Sequence, residues 1–168
     1  MPSDSGIYCL WIRLKRPARI RVGRLGRFQF LSGYYAYIGS AQRGLRARIA
    51  RHERKSKRLR WHIDFLLARA RVVRVEVWRA GREEECRLAL RVGGLPGAQC
   101  LIRRFGASDC RCPTHLWFLG NRPRIRHYRW RKTLDNPFGL GEDGKTYRGV
   151  KNRIDGGIAH GTKAEAPL

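Results

Sequence analysis

The chain has 168 residues with 37 Lys+Arg against 13 Asp+Glu, a formal net charge of +24. That length suits one domain with a tail rather than two full domains, and a 42% hydrophobic fraction with five Trp, six Tyr and six Phe excludes wholesale disorder. Thirty of the basic residues are Arg, a side chain that grips phosphates through paired N–H bonds and stays charged, so the field points to a polyanion: nucleic acid or an anionic membrane surface.

No apolar run approaches the roughly 20 residues that span a bilayer, and the start, Met1-Pro2-Ser3-Asp4-Ser5, has no export-signal pattern. A cytoplasmic location is therefore expected, with Cys9, Cys86, Cys100, Cys110 and Cys112 as reduced thiols.

In chain order, Gly6 to Leu14 (GIYCLWIRL) is rich in β-formers, and Arg19 to Gly23 offers a second short strand. Tyr34 to Gly39 (YYAYIG) is a third, followed by a Ser that can cap what comes next. From Gly44 the period turns helical, with Leu45, Ile49 and then Trp61, Phe65 and Leu66 at spacings of three or four. Val72 to Trp78 reads as a strand, and Glu83 to Val92 as a helix stopped by Gly93-Gly94. The remainder to Phe118 is mixed, with a turn at 105–109. The pattern predicts an α+β fold, a small antiparallel β-sheet flanked by helices. To Gly120 there are 26 basic and 8 acidic residues, and beyond it 11 and 5, with few aliphatics and the run Arg122 to Lys132. Residues 1–120 are thus the expected domain, and 121–168 a basic, flexible C-terminal tail that orders weakly or on a partner.

Two chemistries are excluded by what is missing. The eight carboxylates up to Gly120 show no clustered D-x-D or H-x-x-E-H grouping, which argues against a two-metal nuclease. No G-x-x-x-x-G-K-[ST] occurs, which argues against an ATP-driven motor. Cys110-Arg111-Cys112 with His115, and Cys100 as a further candidate, has a zinc-like composition, but C-x-C-x2-H is an uncommon spacing. Free thiols with turn and packing roles are favoured over a structural zinc on Cys110, Cys112 and His115.

Tyr8 lies in Gly6-Ile7-Tyr8 and Tyr37 in Tyr37-Ile38-Gly39, each on a predicted strand. Arg48 follows eleven residues after Tyr37, one helical turn before His52. With WHIDFL, EEECRLAL and FGASDCRCPTHL, these stretches span nearly all of residues 5–119. The chain resembles a GIY-YIG nuclease domain of the Uri-type endonuclease branch, sometimes joined to base-excision-repair glycosylases. The resemblance implies a metal-dependent endonuclease that hydrolyses phosphodiester bonds in nucleic acid, with DNA favoured and RNA left open. It implies structure- or damage-selective cutting in repair or processing, with a repair protein as a further partner. It also implies catalytic roles for Tyr8, Tyr37, Arg48 and His52, and one Mg²⁺ or Mn²⁺ held by Glu85. Helix phase favours the same residue: Glu85 shares a stripe with Leu88, Ala89 and Val92, whereas Glu83 and Glu84 are expected on other faces. The mechanism expected from this set has a Tyr8 phenol made more acidic by Arg48 and the cation. Tyr8 and Tyr37 stand 29 positions apart, farther than is usual in the family, so Lys15–Ser32 is expected to form an additional hairpin or loop.

The rival reading is a non-catalytic nucleic-acid-binding module of the same fold. Arg46, Arg51, Arg54, Lys55, Lys57, Arg58, Arg60 and His62 are the expected nucleic-acid-binding residues in either case. A membrane-surface partner is disfavoured, because this cluster offers too few bulky apolar residues for an amphipathic anchor.

Overall fold

A computed structural model describes residues 4–121. The elements in chain order are β1 (Gly6–Leu14), β2 (Ala18–Val22), β3 (Gly26–Phe30), β4 (Gly33–Ala41), α1 (Leu45–Glu53), α2 (His62–Leu67), β5 (Arg71–Trp78), α3 (Glu83–Gly93) and β6 (Leu116–Phe118). β5, β1, β4 and β6 form one sheet in that order, with every neighbouring pair antiparallel. The fold is α+β, as the order of periods predicts. The tail assigned to 121–168 lies, but for Asn121, outside the described residues.

β1 and β4 are buried on both faces, which explains why they read as apolar runs rather than alternating strands. On one face Tyr8, Leu10, Ile12, Tyr35 and Tyr37 meet Leu45 and Ile49 of α1 and Ile63 and Leu66 of α2. On the other, Ile7, Cys9, Trp11, Ala36 and Ile38 meet Leu88, Ala89 and Val92 of α3. The segment inserted between the two tyrosines is the β2–β3 hairpin, a separate two-stranded ribbon. Its Ile20, Val22 and Phe30 extend the core on the α1/α2 face.

The helical stretch expected from Gly44 onward divides into α1 and α2. The run Arg54-Lys55-Ser56-Lys57-Arg58 puts like charges side by side, and it leaves the helix at Arg54, whose backbone is extended. Asp64 restarts it: its carboxylate accepts the N–H of Trp61, the residue before α2, at 3.0 Å, and that of Arg60 at 2.9 Å. Asp4 does similar work for α1, its carboxylate accepting the N–H of Arg46 at 3.1 Å.

Candidate active site

The site begins with the register of the two central strands. Tyr8 pairs with Gly39 and Leu10 with Tyr37, so both tyrosines lie on the α1/α2 face as diagonal neighbours. The long insertion therefore leaves their relation intact, because the hairpin leaves and rejoins the sheet beyond the far end of the pairing, at Leu14 and Gly33. Both motif glycines are close-approach positions. A Cβ on Gly39 would lie 2.5 Å from the phenolic oxygen of Tyr8, and one on Gly6 would lie 2.3 Å from the carbonyl oxygen of Trp78.

α1 brings Arg48 and His52 to this face. The phenolic oxygen of Tyr8 is 2.8 Å from Nε2 of His52, and the ring of Tyr37 meets His52 edge-on, with centroids 6.4 Å apart. His52 is 2% exposed. Burial pushes its pKa down to about 3, helped by the charge of Lys57 and opposed by that of Asp64. The imidazole is consequently neutral at pH 7, and its Nδ1 has no hydrogen-bond partner among the described residues. With one ring nitrogen protonated, the tautomer that accepts the Tyr8 proton at Nε2 places the N–H at Nδ1.

Tyr8 is itself 2% exposed. Burial pushes its phenol well above the ordinary tyrosine value, and the charge and hydrogen bonding of Arg48 pull only partly against this. Without a cation, desolvation outweighs the guanidinium, so Arg48 alone does not acidify the phenol. Tyr37 is shifted the same way by burial, then by Tyr8 and Glu85, with Arg48 opposing.

Ser40, the residue after the Tyr37-Ile38-Gly39 motif, joins the two sides of the sheet. Its carbonyl accepts a 2.7 Å hydrogen bond from Arg48 Nη1, while its hydroxyl donates to the Glu85 carboxylate on α3. Arg48 also lies over Trp61, 5.0 Å from the ring centroid, and Arg51 lies over the same ring at 4.2 Å. The sequence suggested Ser40 only as a helix cap, but α1 begins at Leu45 with Gly44 at its N-cap and no side-chain cap. The position of Ser40 directly after the motif glycine was the available signal for a role in the site.

Glu85 places its second oxygen 3.0 Å from Nδ1 of His115, at ion-pair distance but without hydrogen-bond alignment. Burial raises this carboxyl, yet His115 and Ser40 together outweigh it and hold the group below its ordinary value. It is ionised at neutral pH. A carboxylate has about four acceptor sites, so these two contacts leave capacity for one divalent cation completed by substrate oxygens and water. The residues present fit such an ion. Glu84 departs from expectation. It is buried, in a row with Leu88 and Val92, and one of its carboxylate oxygens accepts from Arg87 at 2.7 Å while the other has no partner among the described residues.

The basic cluster divides into two sets. Asp64, fully buried, accepts two 2.9 Å bonds from Arg51 and stands 3.6 Å from Lys57 Nζ. Lys57 also donates to the carbonyls of Arg51 and His52, Lys55 donates to that of Ala70, and His62 Nδ1 accepts the N–H of Gly106. Arg51, Lys55 and Lys57 thus tie the loop between α1 and α2 to its surroundings, and His62 ties the start of α2 to Gly106. Arg46, Arg54, Arg58 and Arg60 are exposed.

Of the residues considered for zinc, Cys110, Cys112 and His115 come together, and Cys86 of α3 joins them, with all four ligand atoms within 4.8 Å of one another. Cys100 stays outside this group. Cys86 escaped sequence reasoning because it lies 24 residues before Cys110 and reaches the others only through the fold.

The family model described as "Domain of unknown function DUF123" matches residues 7–133. The chain belongs to that family, whose domains are GIY-YIG-like. The matched stretch runs past Gly120, where composition suggested the domain boundary. No curated protein and no solved structure matches the chain.

Proposed function

We propose that the protein is a metal-dependent endonuclease of the GIY-YIG type, of the Uri-type branch, hydrolysing phosphodiester bonds in DNA with selectivity for structure or damage. The observation that carries this reading is the gathering of Tyr8, Tyr37, Arg48 and His52 on one face, linked through Ser40 to Glu85 on the other. The net charge of +24 supports a polyanionic substrate. Repair or processing of DNA in the cytoplasm, alongside a repair protein, is the setting this resemblance suggests.

Glu85, with substrate oxygens and water, would hold one Mg²⁺ or Mn²⁺. When bound, the ion neutralises charge on the scissile phosphate and the leaving oxygen. Neutral His52 accepts the Tyr8 O–H, which fixes the phenol and leaves its oxygen lone pairs for the reacting side. As Tyr8 takes the proton of the attacking water, its own O–H proton passes to Nε2 of His52, and the water oxygen bonds to phosphorus as the P–O bond to the leaving group breaks, the leaving oxygen taking a proton from solvent. Tyr37, beside His52, orients the water or the phosphate. Arg48, fixed by Ser40 and Trp61, stabilises the charge of the pentacovalent transition state, an effect worth on the order of 3–4 kcal/mol in comparable sites.

One observation favours a second reading, a binding module without turnover: Tyr8 and Tyr37 are only 2% and 8% exposed, and burial disfavours the phenolate. End-labelled duplex, single-stranded, flap and abasic DNA and RNA, incubated with Mg²⁺ or Mn²⁺ and with chelator, separate the two. The nuclease cuts at least one substrate only with metal; the binding module shifts them all and cuts none.

A further inference from the structure

We propose that Cys86, Cys110, Cys112 and His115 bind one structural Zn²⁺ ion that ties α3 to the segment leading into β6. The ligand atoms already lie near tetrahedral spacing. A tetrahedron with Zn–S legs of about 2.3 Å and a Zn–N leg of about 2.0 Å has edges of roughly 3.5–3.8 Å. Nε2 of His115 is 3.5 Å from Cys110 Sγ and 3.9 Å from Cys86 Sγ, and no pair in the set exceeds 4.8 Å. Three thiolates and an imidazole are the soft donors that zinc takes in closed sites. An iron–sulfur cluster would have to place several metal atoms between sulfurs that are too close for it.

The placement is that of a structural ion. Cys112 is 6% and His115 1% exposed, and the four protein ligands leave no position for water. The segment between α3 and β6 contains no helix or strand of its own among the described residues. A metal that links it to α3 would supply folding free energy that its sparse backbone pairing does not. The nitrogen of His115 that faces away from the thiols, Nδ1, is the one 3.0 Å from Glu85. Carboxylate, histidine and zinc would form a chain that fixes the imidazole and raises its donor strength. Binding releases the thiol protons to solvent and oxidises nothing. The site stands or falls independently of whether the protein cuts nucleic acid.

The full chain, purified under reducing conditions and without added metal, is assayed for metal content by mass spectrometry. About one zinc per chain is expected, retained in Cys100→Ser and lost in Cys86→Ser and Cys112→Ser. Because a ligand variant can fail to fold, the wild-type chain provides independent readouts. Metal-free protein refilled with Co²⁺ is expected to show the intense d–d and sulfur-to-cobalt bands of tetrahedral thiolate coordination, bleached by one equivalent of Zn²⁺. Zinc is expected to slow alkylation of Cys86, Cys110 and Cys112 while Cys100 reacts unchanged. Zinc well below one per chain with a weak octahedral cobalt spectrum, iron in its place, or a disulfide among these cysteines in the reduced preparation would overturn the proposal. So would alkylation indifferent to zinc.

Discussion

Tyr8 and Gly39 stand opposite each other on β1 and β4, and the Tyr8 phenol fills the space that a side chain at position 39 would need. The two short motifs are therefore one structural unit. The glycine of the second makes room for the tyrosine of the first, and the tyrosine thereby reaches His52 at 2.8 Å.

Gly39→Ala is expected to break that contact. Its Cβ would sit 2.5 Å from the Tyr8 oxygen and 2.6 Å from the ring carbon bearing it, so the whole ring must move. An overpacking cost of about 1–3 kcal/mol follows, read as a lower urea midpoint with an unchanged m-value. A wild-type midpoint would show that the phenol does not lie across Gly39.

His52 should make stability sensitive to acid. Its folded pKa, pushed down to about 3 from an ordinary 6.5 by burial and the charges of Lys57, Arg51 and Arg48 against that of Asp64, means that the unfolded chain takes up the proton first. The contribution is fully present above pH 6.5 and is lost as pH falls toward 3, at up to about 1.4 kcal/mol per pH unit. Urea denaturation between pH 7 and pH 4.5 checks this, a window above the range where Asp64, whose pKa is lowered chiefly by Arg51 and the backbone N–H groups against the effect of burial, protonates. His52→Gln should flatten the slope, and an equal slope in the variant would assign the acid loss elsewhere.

Asp64→Asn is expected to destabilise the chain by about 3–5 kcal/mol, the usual cost of removing one partner from a buried ion pair. Asp64 is fully buried between Arg51, Lys57 and two backbone N–H groups. Arg46→Gln, at an exposed arginine, should cost less than about 0.5 kcal/mol. Thermal melts of the two variants supply the comparison.

Glu85→Gln should remove metal-dependent cleavage while leaving binding in chelator unchanged or slightly tighter, since one carboxylate facing the phosphates has gone. Glu84→Gln should keep most activity, because Glu84 contacts Arg87 rather than Ser40 or His115. An Mn²⁺ titration of cleavage by both variants decides between them. A dead Glu84→Gln beside an active Glu85→Gln would place the cation on the wrong residue.

The sequence made the central strands and α3 legible, since β1, β4 and β5 are dense in β-formers and α3 carries a clear apolar stripe. β6 was not legible, because three residues carry no period and pair only through Tyr35 to Tyr37 and Gln99. The split between α1 and α2 depends on Asp64, whose role is visible only once Arg51 and Lys57 are folded against it. Tyr8, Tyr37, Arg48, His52 and Glu85 could be named from motif and spacing, but the site roles of Ser40 and Cys86 and the stacking of Arg48 on Trp61 could not. Their importance lies in contacts between elements distant in sequence. No count of nearby arginines reveals that Tyr8 is desolvated, so the dominance of burial over Arg48 there was not legible either.

The most direct test of the nuclease reading is single-turnover cleavage by wild type and Arg48→Ala, on the best substrate of the panel, with binding measured in parallel. Arg48 is one of 30 arginines, so its loss should change affinity little. It is also the cation hydrogen-bonded to Ser40 beside Tyr8, and cleavage should fall by about 10²–10³. Arg48→Lys should rescue poorly, because a point charge reproduces neither the bond to Ser40 nor the stacking on Trp61. The predicted result is intact binding with metal-dependent scission in wild type alone. Scission at the wild-type rate in Arg48→Ala, or binding without scission in wild type on every substrate, would contradict it.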